Sequence, residues 1–236
     1  MPTSENRLPQ KFALIVAGGS GQRMGSTIAK QFMLLNGLPV LMHTLQRFAD
    51  AEPTAELIVV LPASQLDFWR QLCSRHHFRL RHTLVSGGNT RFASVRNGLN
   101  AISERDGLVA VHDGVRPLVS EEIIRDSFAV ANQAGSAVAV VPVKDSVREM
   151  LWGTERANRA IDRTRLRLVQ TPQTFNLALL RDAFAQVQAD DFSDDASVAE
   201  AAGNRITLIQ GSYRNIKITT PEDLVLAEAL LQKVED

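Results

Sequence analysis

Two cations stand close behind a cluster of glycines near the start of this chain. The segment Ala17-Gly18-Gly19-Ser20-Gly21-Gln22-Arg23-Met24-Gly25 follows an apolar run directly, and Lys30 comes shortly after Arg23. Glycines let backbone N–H groups approach an anion closely. A polyphosphate needs more neutralisation than amides supply, with Arg acting as a planar fork and Lys as a mobile point charge. The same glycines would serve in a plain turn from strand to helix, but the cation pair favours a phosphate-binding loop. It is not a Walker A loop, because no Gly-Lys-Ser/Thr closes it. Nor is it a dinucleotide fingerprint: Met24 stands where the third glycine belongs, and the next strand ends in Leu61-Pro62 with no acid for a ribose.

A second constellation is Val109-Ala110-Val111-His112-Asp113-Gly114-Val115-Arg116-Pro117. It places a carboxylate after a buried strand, at the end where α/β sheets bind ligands. Asp113 there suits a ribose, a substrate hydroxyl, Mg²⁺ or a simple turn. Ser86-Gly87-Gly88-Asn89-Thr90-Arg91 is another glycine turn opening a helix, and its amides together with Ser94 suit a base edge. His112 is expected to be packed and hydrogen-bonded rather than a base. His76, His77 and His82 sit among Arg75, Arg79 and Arg81 without metal-ligand spacing, so a solvated basic face is expected. Cys73 is expected to do ordinary packing.

Elements that alternate between strand and helix must position these groups. Buried strands are expected at Phe12 to Ala17, Leu57 to Leu61, Leu108 to His112 and Ala137 to Val141. Helical spacing occupies Pro39 to Asp50, Gln65 to His76, Arg91 to Ile102, and Glu121 to Ala134 behind a Ser120 cap. A last helix starts at Thr220-Pro221-Glu222-Asp223, with cap, first-turn proline and an acid at the third helical position. The alternation implies an α/β fold, a mostly parallel sheet covered on both faces. It breaks between Pro142 and Thr171, where Val147 to Met150 and Arg159 to Ile161 are short and polar-interrupted. A two-stranded arm is expected there, and because such an arm is marginal alone it needs a surface to pack on, a second subunit being the natural one.

The 236 residues carry 26 basic and 26 acidic side chains, so no net charge draws the molecule to nucleic acid or an anionic membrane. At 44% hydrophobic and 22% charged, the chain is an ordinary globular one, expected to form a single domain over residues 1–236 with the arm at about 142–170. One cysteine and a polar N-terminal segment lead to the expectation of a reducing, cytoplasmic location.

The glycine loop with Arg23 and Lys30 resembles that of the nucleotide-sugar pyrophosphorylase superfamily. Taken with Ala29-Lys30-Gln31-Phe32, His112-Asp113-x-x-Arg116-Pro117, Ile161-Asp162-Arg163, Gln170-Thr171-Pro172-Gln173, Ser193-Asp194-Asp195-Ala196-Ser197 and Asn215-Ile216-Lys217, the chain is similar from about Lys11 to its final helix to the 2-C-methyl-D-erythritol 4-phosphate cytidylyltransferase family. The resemblance implies a Rossmann-like sheet, a β-arm that dimerises, and Mg²⁺-dependent transfer of CMP from CTP to methylerythritol phosphate. It implies Arg23, Lys30 and Lys217 as catalytic groups, and Ala17, Gly18, Gly19, Gly21, Gly87, Ser94 and Asp113 around the nucleotide. Asp113, Arg116, Ser146, Arg163, Thr171 and Ser193 would hold the acceptor, some from the partner's arm. Mg²⁺ would bind mainly through the CTP phosphates, with Asp113 as a further candidate ligand. Ser146 and Ser193 stand where threonine is usual in the family, and Asn89 where an acid is usual.

Three other functions fit some of these residues. A ribitol-5-phosphate cytidylyltransferase shares several motifs, but Asp162-Arg163-x-x-Leu166 ahead of Gln170-Thr171-Pro172-Gln173 favours the methylerythritol acceptor. A CTP-binding sensor would not need both Lys30 and Lys217, since binding alone requires no stabilised transition state. A dinucleotide oxidoreductase is disfavoured by the broken fingerprint.

Overall fold

The computed structural model describes residues 9–18, 28–151, 157–187 and 192–232. Its central sheet is built from β1 (Lys11–Val16), β4 (Glu56–Leu61), β5 (Thr83–Ser86), β6 (Leu108–Asp113), β7 (Ser136–Pro142), β10 (Arg167–Asn176) and β11 (Leu208–Gln210). Across the sheet these seven strands lie in the order β11-β7-β10-β6-β1-β4-β5. β1 pairs in parallel with β4 and β6, β4 with β5, and β7 with β11.

Alternation along β1 explains why it is apolar throughout. Ala13 and Ile15 face one core, while Phe12, Leu14 and Val16 face the other. The first core is closed by α1 (Val40–Ala51), α2 (Leu66–Arg75) and α4 (Glu121–Ala134), which contribute Leu45, Phe48, Trp69 and Phe128. The second is closed by α3 (Arg91–Asn100), α5 (Leu177–Gln186) and α6 (Asp195–Ala201), through Phe92, Leu99, Leu180 and Phe184. Helix α3 lies very close to the sheet: a Cβ at Gly98 would stand 2.3 Å from Leu14 Cδ1. Helix α4 starts at the expected Ser120 cap and ends at Gly135 in the left-handed region, φ 83°. In α7 (Pro221–Gln232), Asp223 Oδ2 accepts from the Thr220 N–H at 2.9 Å, the reaching-back half of a capping box.

The sheet departs from the expected pattern at β10. This strand runs antiparallel between β6 and β7, through the Gln170-Thr171-Pro172-Gln173 segment. Proline cannot donate to a ladder, and the pairing of β10 with β7 shifts register between Val169 and Gln173, where Pro172 sits. The arm is therefore shorter than expected, because Arg167 onward already belongs to the sheet. A tight pair Leu34–Leu35 and Leu38–Pro39 makes β2 and β3, so Pro39 precedes α1 rather than opening it. The arm is an antiparallel hairpin of β8 (Val147–Met150) and β9 (Asn158–Ile161), hydrogen-bonded to each other only among the described strands. No helix among the described residues is long and apolar enough to cross a membrane.

Candidate functional site

Parallel pairing brings three loops to one edge of the sheet. Val16 is level with Asp113, Val16 with Val60, and Leu61 with Ser86, so Ala17-Gly18, Asp113 and the Gly87-Gly88 turn all leave the sheet together. There they enclose a cleft of about 240 Å³ that includes Ala17, Gly18, Lys30, Ser94, Asp113 and Lys217. A second cleft of about 250 Å³ adjoins it and includes Arg116, Thr171, Ser193, Asp113 and Lys217. Arg91, Asp113 and Lys217 line both clefts and form the wall between them.

Asp113 is the buried centre of that wall. Its Oδ2 lies 3.1 Å from Lys217 Nζ and 3.1 Å from Arg116 Nε. Burial alone would raise the Asp113 carboxyl, but the Lys217 ammonium, the Arg116 guanidinium and Arg91 outweigh it and hold the group well below the usual carboxylate range. One carboxylate shared by two cations leaves the wall positive. The Asp113 backbone N–H donates to Thr171 Oγ1 at 3.0 Å, so β10 is tied to the same point.

Arg91 opens α3, whose first turn is capped by Thr90 Oγ1 accepting from the Ala93 N–H at 3.1 Å. Its guanidinium meets the fully buried Asp195 in a two-pronged pair of 2.8 and 2.6 Å, so it braces the wall and α6 together. Gln173 completes that end of α6: its Oε1 accepts from the Asp195 and Ala196 N–H groups at 3.1 and 2.8 Å. Gln31 is fully buried beside Lys30, donating from Nε2 to the Ala17 carbonyl at 2.9 Å and to Gln65 Oε1 at 2.7 Å. Arg91, Gln31, Gln173 and Asp195 lay inside quoted motifs, but their roles are contacts across long sequence separations that spacing does not reveal. The position of Arg91 directly behind a glycine turn and a capping threonine was the available signal.

Several expected groups take specific places. Ser94 lines the first cleft, accepting from the Gly88 N–H at 3.1 Å and donating to the Thr90 carbonyl at 2.9 Å. Gly87 stands outside the lining, its N–H donating to the Leu61 carbonyl at 2.8 Å, and Gly88 lines the first cleft instead. Ser193 reaches the second cleft near Asp194. Ser146 and Arg163 lie exposed at the two sides of the arm and line neither cleft; Arg163 Nη1 donates to the Lys144 carbonyl. Gly19, Gly21 and Arg23 lie outside the described residues.

The histidines meet the expectation at His112 and depart from it at His82. His112 is completely buried against Phe48, 5.0 Å between rings, and burial pushes it down to about 3, so it is neutral and packed. His82 does not belong to a solvated face: its Nε2 accepts from Trp69 Nε1 at 2.9 Å, and its Nδ1 faces the Leu80 carbonyl at 2.7 Å. A buried indole N–H requires an acceptor, and burial lowers His82 toward the neutral form that supplies one. Burial likewise pushes the half-buried Cys73 thiol up to about 11, consistent with packing rather than reactivity.

No group of three or more His, Cys, Asp or Glu side chains among the described residues could cage a metal ion. Asp113 is the one carboxylate among the described residues that line the first cleft. That donor set fits a Mg²⁺ carried mainly by ligand phosphates, with at most one protein carboxylate, and not a dedicated protein cage.

A mostly parallel sheet, with Ala17-Gly18 at its carboxyl edge and two clefts sharing one cationic wall, defines a Rossmann-like α/β protein. Comparison with known proteins narrows this class. The profile of the IspD family, 2-C-methyl-D-erythritol 4-phosphate cytidylyltransferase, matches residues 12–233. A protein of that name from Porphyromonas gingivalis is 51% identical over 225 residues, 94% of this chain and 98% of the relative. Another from Bacteroides thetaiotaomicron is 48% identical over 218 residues, 92% of this chain and 98% of the relative. The crystal structure of the enzyme so named from Thermus thermophilus superposes with a TM-score of 0.76 at 37% identity, covering 94% of this chain and 99% of the other. The chain belongs to the 2-C-methyl-D-erythritol 4-phosphate cytidylyltransferase family.

Proposed function

We propose that this protein transfers CMP from CTP to 2-C-methyl-D-erythritol 4-phosphate, releasing pyrophosphate, as a step in making isoprenoid precursors. The observation that carries the reading beyond family membership is the shared wall: Asp113, Lys217 and Arg91 border both clefts, so ligands in the two would meet at fixed positive charge. CTP belongs in the cleft of Ala17, Gly18, Lys30 and Ser94, with Gly19 and Gly21 of the loop helping to cradle the nucleotide and Arg23 and Lys30 on its phosphates. Methylerythritol phosphate belongs in the cleft of Arg116, Thr171 and Ser193.

An oxygen of the acceptor's phosphate monoester attacks the α-phosphorus of CTP; the bond from that phosphorus to the bridging oxygen breaks, and pyrophosphate leaves with the electron pair. The nucleophile is already anionic at neutral pH, so no general base is required, which agrees with a neutral, buried His112. The barrier is repulsion between anions plus charge developing at the α-phosphate, and positioned cations lower it. Lys217 serves this role at the wall and Lys30 on the nucleotide side. Mg²⁺, held by the CTP phosphates with Asp113 as the candidate protein ligand, would supply further neutralisation. The enzyme is taken to be one domain over residues 1–236, to work in the cytoplasm, and to dimerise through the arm, Ser146 and Arg163 completing the partner's acceptor cleft.

The test is pyrophosphate release with Mg²⁺, offering CTP, UTP, ATP and GTP against methylerythritol 4-phosphate and ribitol 5-phosphate. Turnover confined to CTP with methylerythritol phosphate is the expected result. Turnover with ribitol phosphate alone would move the acceptor, and CTP binding without turnover would make the protein a sensor.

A further inference from the structure

Lys217 lies on neither a helix nor a strand; the chain from Gly211 to Thr220 has no regular hydrogen-bonded ladder to hold it. Its position at the wall therefore depends on what anchors its neighbours. On one side Ile218 is fully buried and its N–H donates to the Val115 carbonyl at 2.9 Å. On the other side stands Asn215, also fully buried, with three long-range bonds. Its Nδ2 donates to the Thr171 carbonyl at 2.8 Å and to Gln170 Oε1 at 3.3 Å, and its own carbonyl accepts from Arg116 Nη1 at 2.8 Å. Gln170 in turn donates from Nε2 to the Ser212 carbonyl at 2.8 Å and accepts from the Ser212 N–H at 3.3 Å.

We infer that Asn215, backed by Gln170, is a positioning residue that couples the acceptor cleft to Lys217. The amide joins Thr171, which lines the acceptor side, to the segment that carries the wall's ammonium. Through Arg116 the same residue is joined to Asp113, the carboxylate that Lys217 meets. A role in packing alone does not account for the choice of side chain. Asn215 Oδ1 is buried with no hydrogen-bond partner, a cost that an apolar residue would not carry. What an apolar residue cannot do is hold the Thr171 carbonyl. Gln170 and Thr171 line the acceptor cleft and not the nucleotide cleft, which the network reaches only through Asp113 and Lys217, so the coupling weighs on the acceptor and the chemical step more than on nucleotide binding.

This inference rests on Lys217 being catalytic, and the experiment separates the two claims. Asn215→Ala, Lys217→Ala and the double variant are assayed on the full-length enzyme for kcat and for both KM values, with circular dichroism confirming the fold at the assay temperature. Asn215→Ala is expected to lower kcat about 10- to 100-fold and raise KM for methylerythritol phosphate, with KM for CTP within about twofold of wild type. In the Lys217→Ala background the kcat effect of Asn215→Ala is expected to vanish, because there is no ammonium left to position. Effects that multiply in the double variant, or a KM change for CTP equal to that for the acceptor, would overturn the coupling while leaving the catalytic role of Lys217 intact. A Lys217→Ala enzyme with wild-type kcat would instead overturn the catalytic reading, and the coupling with it. Should Asn215→Ala not fold, Gln170→Leu removes the backing partner while Asn215 stays bonded to Thr171, and the same cycle with Lys217→Ala decides the matter.

Discussion

Single charges at the wall have separable consequences. Lys217 Nζ stands 3.1 Å from Asp113 with its side chain 41% exposed, so it is held in place yet open to an arriving phosphate. Lys217→Ala and Lys30→Ala should each lower kcat by about 10²–10³, the usual loss when one preorganised charge stabiliser is removed. Steady-state pyrophosphate release measures this, and near-wild-type kcat in either variant would contradict the assignment. His112 makes a different claim, about stability. Its native value of about 3 lies below the ordinary 6.5, so between those values the unfolded chain binds the proton and the folded chain does not. Stability from this group is complete above pH 6.5 and falls as pH drops through the window, at up to about 1.4 kcal/mol per pH unit. His43 and His82 are also lowered, chiefly by burial, and act with the same sign, whereas Asp113 adds its loss only below the ordinary carboxylate range. Urea midpoints measured from pH 7 down to about pH 4.5 should show this decline, and His112→Phe should flatten it by one proton's share. An unchanged slope in that variant would mean His112 is protonated in the native state.

At the level of elements, α3 and α6 are held together across the site by one ion pair. Arg91 and Asp195 are far apart in sequence, Asp195 is fully buried, and the pair is two-pronged. Asp195→Asn leaves the Arg91 guanidinium without its counter-charge and should destabilise the fold by about 3–5 kcal/mol. In a chain of this size that is a fall in Tm on the order of 10 °C by thermal melting, and a fall of only a degree or two would show that Arg91 finds another partner. This brace also marks where sequence reasoning stops. β1, β4, β6 and β7 were legible because a strand buried on both faces must be apolar throughout, and α4 and α7 because caps leave local signatures. The carboxyl edge of the sheet then brought Asp113 and the Gly87-Gly88 turn together, while most of the first glycine loop lies outside the described residues. β10 was not legible as a strand, since Gln170, Thr171, Pro172 and Gln173 are polar or ladder-breaking and the strand depends on neighbours far away in sequence. The same holds for Gln173, Asn215 and Arg91, whose chemistry is contact with distant backbone or charge and leaves no periodicity. β11, three residues long and flanked by irregular chain, offered too little pattern to detect.

For the whole molecule, the proposed dimerisation through the arm bears on how many chains would make one working site. A lone two-stranded hairpin is marginal in water, and here three large apolar side chains stand exposed on the arm and the start of β10, among charged neighbours: Met150 is 50% exposed, Leu168 53% and Val169 47%. Burying such side chains against a second copy would stabilise both the hairpin and the proposed homodimer. Arg163 and Ser146 flank this arm and line neither cleft of their own chain, so the acceptor role proposed for them would need a partner. Subunit mixing tests this directly. Lys217→Ala disables the cleft of its own chain, whereas Arg163→Ala, acting across the dimer, would disable the cleft of the other. A mixed dimer of the two then holds one site with both defects and one with neither. Equal mixing with random exchange should restore about a quarter of the wild-type sites, although each variant alone is nearly inactive. If Arg163 serves its own chain, both sites of the mixed dimer are damaged and activity stays at the level of the parents. The amount of activity recovered thus reports which chain each residue serves, and light scattering on the same mixture establishes whether the dimer is present.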